Sequence, residues 1–247
     1  MTTTTELTRH GSVAILRLDR PKVLNAINEA MVGEIEAALD QVDGDVEARA
    51  LVIVGTGRSF CVGSDLKEGG NDPAGRIARM HQLMLRLDGF PKVTVAAYNG
   101  LALGGGLELG MACTLRVAAT DARLGLPEIT HALMPAYGGT QLLPRLVGYA
   151  RAAELMLSGE MIDAAQAERI GLVNAVAADA LAAAVALADR CSRGGITASV
   201  EIAGHCPAAG AVHWQKVLRA KRAAPSASPP ATKPGPASLP SHRNIRH

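Results

Sequence analysis

Three stretches of this 247-residue chain combine residue types able to do chemistry. In the first, "ALGGGLELG" (102–110), three consecutive glycines precede Glu108. An interior glycine costs a helix roughly 0.5–1 kcal/mol relative to alanine. A carboxylate on an apolar segment risks a buried charge. Two such local costs so close together point to a constraint other than stability. A buried strand over Val93–Ala97 and a tight Asn99–Gly100 turn lead into the glycines, which open a buried helix. The first N–H groups of a helix lack internal acceptors and lie at the positive end of its dipole. Glycines there let a group approach the backbone closely, which suits a developing oxyanion better than a whole phosphate. Helical side chains tilt toward the N-terminus, so Glu108 is expected to lean back toward the same N–H groups; from this segment alone, tight helix packing with a solvated glutamate reads equally well.

The second stretch, "RSFCVGSDLKEGG" (58–70), offers Gly63, the Ser64 N–H, Asp65 and Lys67. Alone it reads as a polar loop. The third, "LGLPEITHALMPAYGGTQLLPRLVG" (124–148), places Glu128 after Pro127 and a glycine pair before a helix. Alone, Glu128 reads as a surface carboxylate. Common glycine motifs fail: from Gly104, G-x-G-x-x-G ends on Leu109, no Gly-Lys pair exists, and G-x-S-x-G is absent. The simplest dinucleotide, nucleotide-phosphate and serine-hydrolase readings are thereby removed.

Alternating strands and helices must position these residues. "SVAILRL" (12–18) reads as a strand. Asn28 can cap a helix carrying Met31, Ile35, Leu39 and Val42. "ALVIVG" (50–55) and "KVTVAAYNG" (92–100) are apolar runs, as expected of strands buried on both faces. Ile77, Met80, Met84 and Leu87 share one helical face, and "CTLRVAAT" (113–120) alternates Leu115, Val117 and Ala119. Asp163 with Gln166 forms a capping-box pattern ahead of Gly171, and "DALAAAVALADRC" (179–191) is a further helix. The alternation predicts an α/β fold with a largely parallel core.

Bulk properties narrow the partners. Hydrophobic residues make up 48% and charged residues 19%, with net charge +2 and only one Trp, three Tyr and two Phe. Nothing here calls for nucleic acid or a membrane. The four cysteines, Cys61, Cys113, Cys191 and Cys206, form no C-x-x-C pair, so no metal site is expected and free thiols fit a reducing compartment. The N-terminus lacks the look of a signal or transit peptide, and no apolar run reaches membrane-spanning length. A soluble cytoplasmic protein is expected. From about Ser192 the character changes: seven of thirteen prolines lie at Pro207 or beyond, and residues 200–247 hold seven basic residues and one acidic. Residues 192–247 therefore read as a divergent segment, disordered after about residue 223.

Six segments in order resemble the crotonase, or enoyl-CoA hydratase/isomerase, family: "LDRPKVLNAI" (18–27), "FCVGSDLKE" (60–68), "NGLALGGGLELGMAC" (99–113), "LPEI" (126–129), "PAYGGTQLLPRLVG" (135–148) and "SGEMIDAAQAERIGLVNAV" (158–176). The resemblance runs from Ser12 to Cys191. It implies a layered βαβ spiral, with residues 1–191 as the catalytic core. It also implies a coenzyme A thioester whose oxygen sits between the backbone N–H groups of Ser64 and Gly105.

By the same resemblance, Glu108 is the base acting on water and Glu128 the acid. Gly63, Gly104, Ala26, Asp65 and Leu66 surround the substrate, and Lys22 and Lys67 lie near its phosphates. Coenzyme A belongs to the substrate, so no separate cofactor is implied. Departures are Val62 where alanine is usual, Ala136 where glycine is common, and the C-terminus, where the family carries helices of its trimer contact. A homo-oligomer, trimer or hexamer, is implied but weakened by that tail. The paired glutamates favour an enoyl-CoA hydratase. A double-bond isomerase, needing one carboxylate, and an impaired acyl-CoA-binding homologue remain as alternatives.

Overall fold

The computed structural model describes residues 3–65, 67–68 and 72–194. In chain order its elements begin with strands β1 (Thr5–His10) and β2 (Val13–Leu18), helix α1 (Glu29–Gly44), and strands β3 (Ala50–Gly55) and β4 (Ser59–Cys61). Helix α2 (Pro73–Asp88), strands β5 (Val93–Tyr98) and β6 (Leu101–Leu103), and helix α3 (Gly105–Met111) follow. Then come strands β7 (Leu115–Ala119) and β8 (Arg123–Gly125), a 3-10 turn (Pro127–His131), and helices α4 (Gly139–Val147) and α5 (Tyr149–Ser158). Strand β9 (Ile162–Asp163), helix α6 (Ala164–Arg169), strand β10 (Ala175–Ala177) and helix α7 (Ala180–Ser192) complete the described chain.

Among the described residues the strands form two sheets, ordered β1-β2-β3-β5-β7-β10 and β4-β6-β8-β9. In the larger sheet every pairing is parallel except β1 with β2. In the smaller, β4-β6-β8 are parallel and β9 runs antiparallel. The apolar runs become the central strands β3 and β5, whose residues are all buried. Such runs suit a parallel sheet covered on both faces, and α7 packs across β3, β5 and β7. Asn28 caps α1, its Oδ1 accepting the Met31 N–H at 3.0 Å, and Met31, Ile35, Leu39 and Val42 are buried. On α2, Met80, Met84 and Leu87 are buried while Ile77 is only partly so. Asp163 caps α6 by accepting the Gln166 N–H at 2.8 Å. The periodic α/β reading therefore holds for these elements.

Three details differ from the sequence expectation. Strand β7 does not alternate: Arg116 is buried with its neighbours Val117, Ala118 and Ala119. Covered on both faces, the strand tolerates a guanidinium because Nε donates to Leu172 O at 2.8 Å and a terminal nitrogen to Cys113 O at 2.7 Å. Strand β1 is too polar to show an apolar period. It is held at its start by Glu34, whose Oε2 accepts from the backbone N–H and side-chain hydroxyl of both Thr4 and Thr5 at 2.7–3.0 Å. Finally, a short strand, β6, intervenes between the Asn99–Gly100 turn and the glycine helix. Gly104 stands outside that helix as its N-cap.

The expectations for 195–247, including disorder after 223, fall outside the described residues, as does Cys206. Cys61, Cys113 and Cys191 are free thiols. Among the described residues no helix is long and apolar enough to cross a membrane.

Candidate active site

A cavity of about 920 Å³ opens where β4, the start of α3, the 3-10 turn and the loop before α4 meet. Gly63, Ser64, Asp65, Gly104, Gly105, Glu108 and Glu128 all line it. The three stretches singled out in the sequence thus converge on one space. Lys22 and Ala26 lie in the segment after β2, and Lys67 follows Asp65; none of the three is among the lining residues. Lys22 and Lys67 are exposed and Ala26 is buried. Leu66 lies outside the described residues.

The Ser64 and Gly105 amides are presented by two different devices. Ile27 N–H donates to Gly63 O at 2.7 Å, and Asp65 N–H donates to Ile27 O at 2.8 Å. An extended segment turns the polar groups of successive residues to opposite sides, so the Ser64 N–H points away from Ile27. Gly105 is the first residue of α3, whose first intrahelical bond runs from Glu108 N–H to Gly104 O at 3.0 Å. Its own N–H precedes that bond. The two segments touch: a Cβ added to Gly63 would lie 3.1 Å from Gly105 N. Gly104 turns the chain into α3 at φ +53° and ψ −130°, a conformation that disfavours any residue with a Cβ.

Glu108 is buried, with 1% of its surface exposed. Its Oε1 accepts the Tyr137 N–H at 2.9 Å and the Gly139 N–H at 2.6 Å. The amides that bind this oxygen thus belong to the loop before α4 and to the first residue of α4. Gly139 is the first residue of α4, which has no side-chain cap of its own. Its unclaimed N–H, at the positive helix end, recruits the carboxylate from across the site.

Glu128, on the 3-10 turn, is only partly buried, yet its Oε2 has no hydrogen-bond partner among the described residues. Burial pushes its carboxyl above the usual carboxylate range, and its own backbone N–H offsets part of that rise. Asp65 behaves oppositely: the Arg20 guanidinium, 2.9 Å away, holds it below that range. Cys61 is a buried thiol pushed up to about 12 by desolvation, so it is no nucleophile at neutral pH.

The sequence reading passed over Tyr137, Arg20 and Arg76. Arg76 donates to Ile27 O at 2.7 Å and lines the cavity. Tyr137 stands beside the glycine pair in the third stretch, and a rare aromatic there was the available signal.

This layered architecture, with its cavity at the glycine helix, is that of the crotonase class. Over residues 8–221 the sequence matches the Enoyl-CoA hydratase/isomerase family, and the chain belongs to that family. A Bacillus subtilis protein described as a probable enoyl-CoA hydratase is 46% identical over 172 residues, covering 68% of this chain and 66% of the relative. The short-chain-enoyl-CoA hydratase of Clostridium acetobutylicum is 39% identical over 175 residues, covering 69% of this chain and 67% of the relative. The crystal structure of an enoyl-CoA hydratase from Bacillus anthracis is similar with a TM-score of 0.79 at 32% identity, covering 89% of this chain and 88% of the other. The chain thus matches about two thirds of the length of these curated relatives.

Proposed function

We propose that this protein is an enoyl-CoA hydratase, a hydro-lyase that adds water across the 2,3 double bond of an enoyl-CoA thioester. The observation that carries the reading is the convergence of Glu108, Glu128, Ser64 and Gly105 on one cavity. Relatives at 39–46% identity bear hydratase names, which supports the same class. The thioester oxygen accepts from the Ser64 and Gly105 amides. Ile77, Leu133 and Met134 offer an apolar wall for the acyl chain. Lys22 and Lys67 are assigned to the phosphates of coenzyme A, which belongs to the substrate.

In this mechanism Glu108 takes a proton from water as its oxygen bonds to C3. The π pair of C2–C3 shifts toward the thioester, whose oxygen becomes the enolate oxygen held by the two amides. Preorganised donors at such a site are worth about 3–4 kcal/mol each. The enolate then returns its pair to C2, which takes the proton of Glu128. A proton passing from Glu108 to Glu128 restores both groups. The raised carboxyl of Glu128 supports its role as the proton donor. Residues 1–191 are proposed as the catalytic core, acting as a cytoplasmic homo-oligomer.

Crotonyl-CoA hydration by purified full-length protein, with a 3-enoyl-CoA assayed in parallel and butyryl-CoA binding followed by thermal shift, tests the reading. Hydration faster than double-bond migration is the expected result. Migration alone would make the protein an isomerase. Binding without either reaction would make it an acyl-CoA-binding homologue.

A further inference from the structure

Tyr137 touches three groups that the proposed reaction uses. Its backbone N–H donates to Glu108 Oε1 at 2.9 Å. Its ring covers Gly105 so closely that a Cβ there would meet Cδ2 at 2.7 Å and Cε2 at 2.8 Å. Its hydroxyl shares a hydrogen bond of 2.5 Å with Ser64 Oγ. The residue is 6% exposed. The loop behind it is anchored too, because His81 Nε2 donates to the carbonyl oxygen of Ala136 at 2.5 Å. The loop that carries the ring is therefore braced from α2, and the ring's hydroxyl reaches the 63–65 segment.

We propose that Tyr137 is a positioning residue that ties Ser64 to Gly105, and so sets the spacing of the two amides that receive the enolate oxygen. The inference rests on the reading of those amides as the oxyanion donors. Ile27 holds the 63–65 segment through Gly63 O and Asp65 N–H, on the side opposite the Ser64 N–H. The Ser64 hydroxyl adds a side-chain link from that segment, through Tyr137, to the α3 side, beside the backbone contact of Gly63 with Gly105. Donors must lie about 2.7–3.1 Å from the oxyanion to act, so slack of a few tenths of an ångström between the segments weakens both bonds together. Only the backbone of Ser64 enters the chemistry. Its side chain acquires a use through Tyr137, whose rigid ring packs on Gly105 beside the contact between Gly63 and Gly105.

The test uses Tyr137→Phe, which keeps the ring and the amide, Ser64→Ala, which removes the partner hydroxyl, and the double variant. Each is assayed for crotonyl-CoA hydration, for butyryl-CoA affinity, and for the near-ultraviolet band of bound acetoacetyl-CoA. The acidic C2–H of that 3-oxoacyl thioester gives an enolate whose bound fraction reports the oxyanion donors directly. Each single variant is expected to lower kcat and the bound enolate fraction by about tenfold, with KM and butyryl-CoA affinity within about twofold. The double variant should be no worse than either single one, because both remove the same link. A wild-type band retained in full by both single variants would overturn the tether alone. Losses that multiply in the double variant would also overturn it. A wild-type protein that binds butyryl-CoA but develops no enolate band would overturn the oxyanion reading, and the tether with it.

Discussion

Gly104 lies against Glu128: a Cβ added to Gly104 would sit 3.1 Å from Glu128 Oε1. The turn into the helix that carries one glutamate is thus packed on the other. Because Gly104 also adopts φ +53°, Gly104→Ala strains the backbone and crowds the carboxylate at once. We expect a loss of about 1–3 kcal/mol in urea unfolding and a fall in hydration beyond that explained by unfolded protein. Wild-type stability would show that this backbone conformation is not required.

Glu108→Gln and Glu128→Gln should each lower the kcat of hydration by at least about 10²-fold, the scale of general acid–base groups. Butyryl-CoA affinity should change little. Glu108→Gln should also cost about 1 kcal/mol of stability, because the Tyr137 and Gly139 amides then donate to a neutral oxygen. Near wild-type turnover by either variant would remove that glutamate from the mechanism.

Glu128 gives stability a pH signature. Its carboxyl is raised above the ordinary glutamate range because burial penalises the anion. The folded state therefore holds a proton that the unfolded chain has released. Stability from this group is fully present below the unfolded value and is lost as pH rises through the folded one. Glu128→Gln removes that loss. Its unfolding free energy relative to wild type should climb with pH from about 4.5 upward and then level off. A difference that stays flat with pH would show that the carboxyl is not destabilised by burial.

The glycine run should tolerate substitution unequally. A Cβ on Gly106 would lie 2.1 Å from Cys61 O, a backbone atom of β4, whereas one on Gly105 meets the Tyr137 ring. Strand backbone cannot yield as a side chain can. Gly106→Ala should therefore lower the melting temperature more than Gly105→Ala. Gly105→Ala should chiefly lower kcat by displacing Tyr137. The reverse order in thermal melts would contradict the packing of α3 on β4.

Local patterns in the chain determined much of this molecule. The 3.6-residue spacing of Met31, Ile35, Leu39 and Val42, the cap at Asn28 and the unbroken run Ala50–Gly55 each occupy a short window, and each is realised as read. The glycine run with Glu108 was also legible, because glycines and a glutamate on an apolar segment conflict with stability, whereas Ser64 and Glu128, alone a polar loop and a surface carboxylate, were singled out only by the family resemblance. Tertiary structure alone decided what these residues touch. Ser64 and Tyr137 are 73 positions apart, and Glu108 finds its donors 29 and 31 positions away. No window on the sequence contains both partners. Strand β1 and buried Arg116 escaped for the same reason: Glu34 and Leu172, which satisfy them, come from distant parts of the chain. Periodicity depends on neighbours along the backbone, whereas a hydrogen bond across the site depends on how separately formed elements pack.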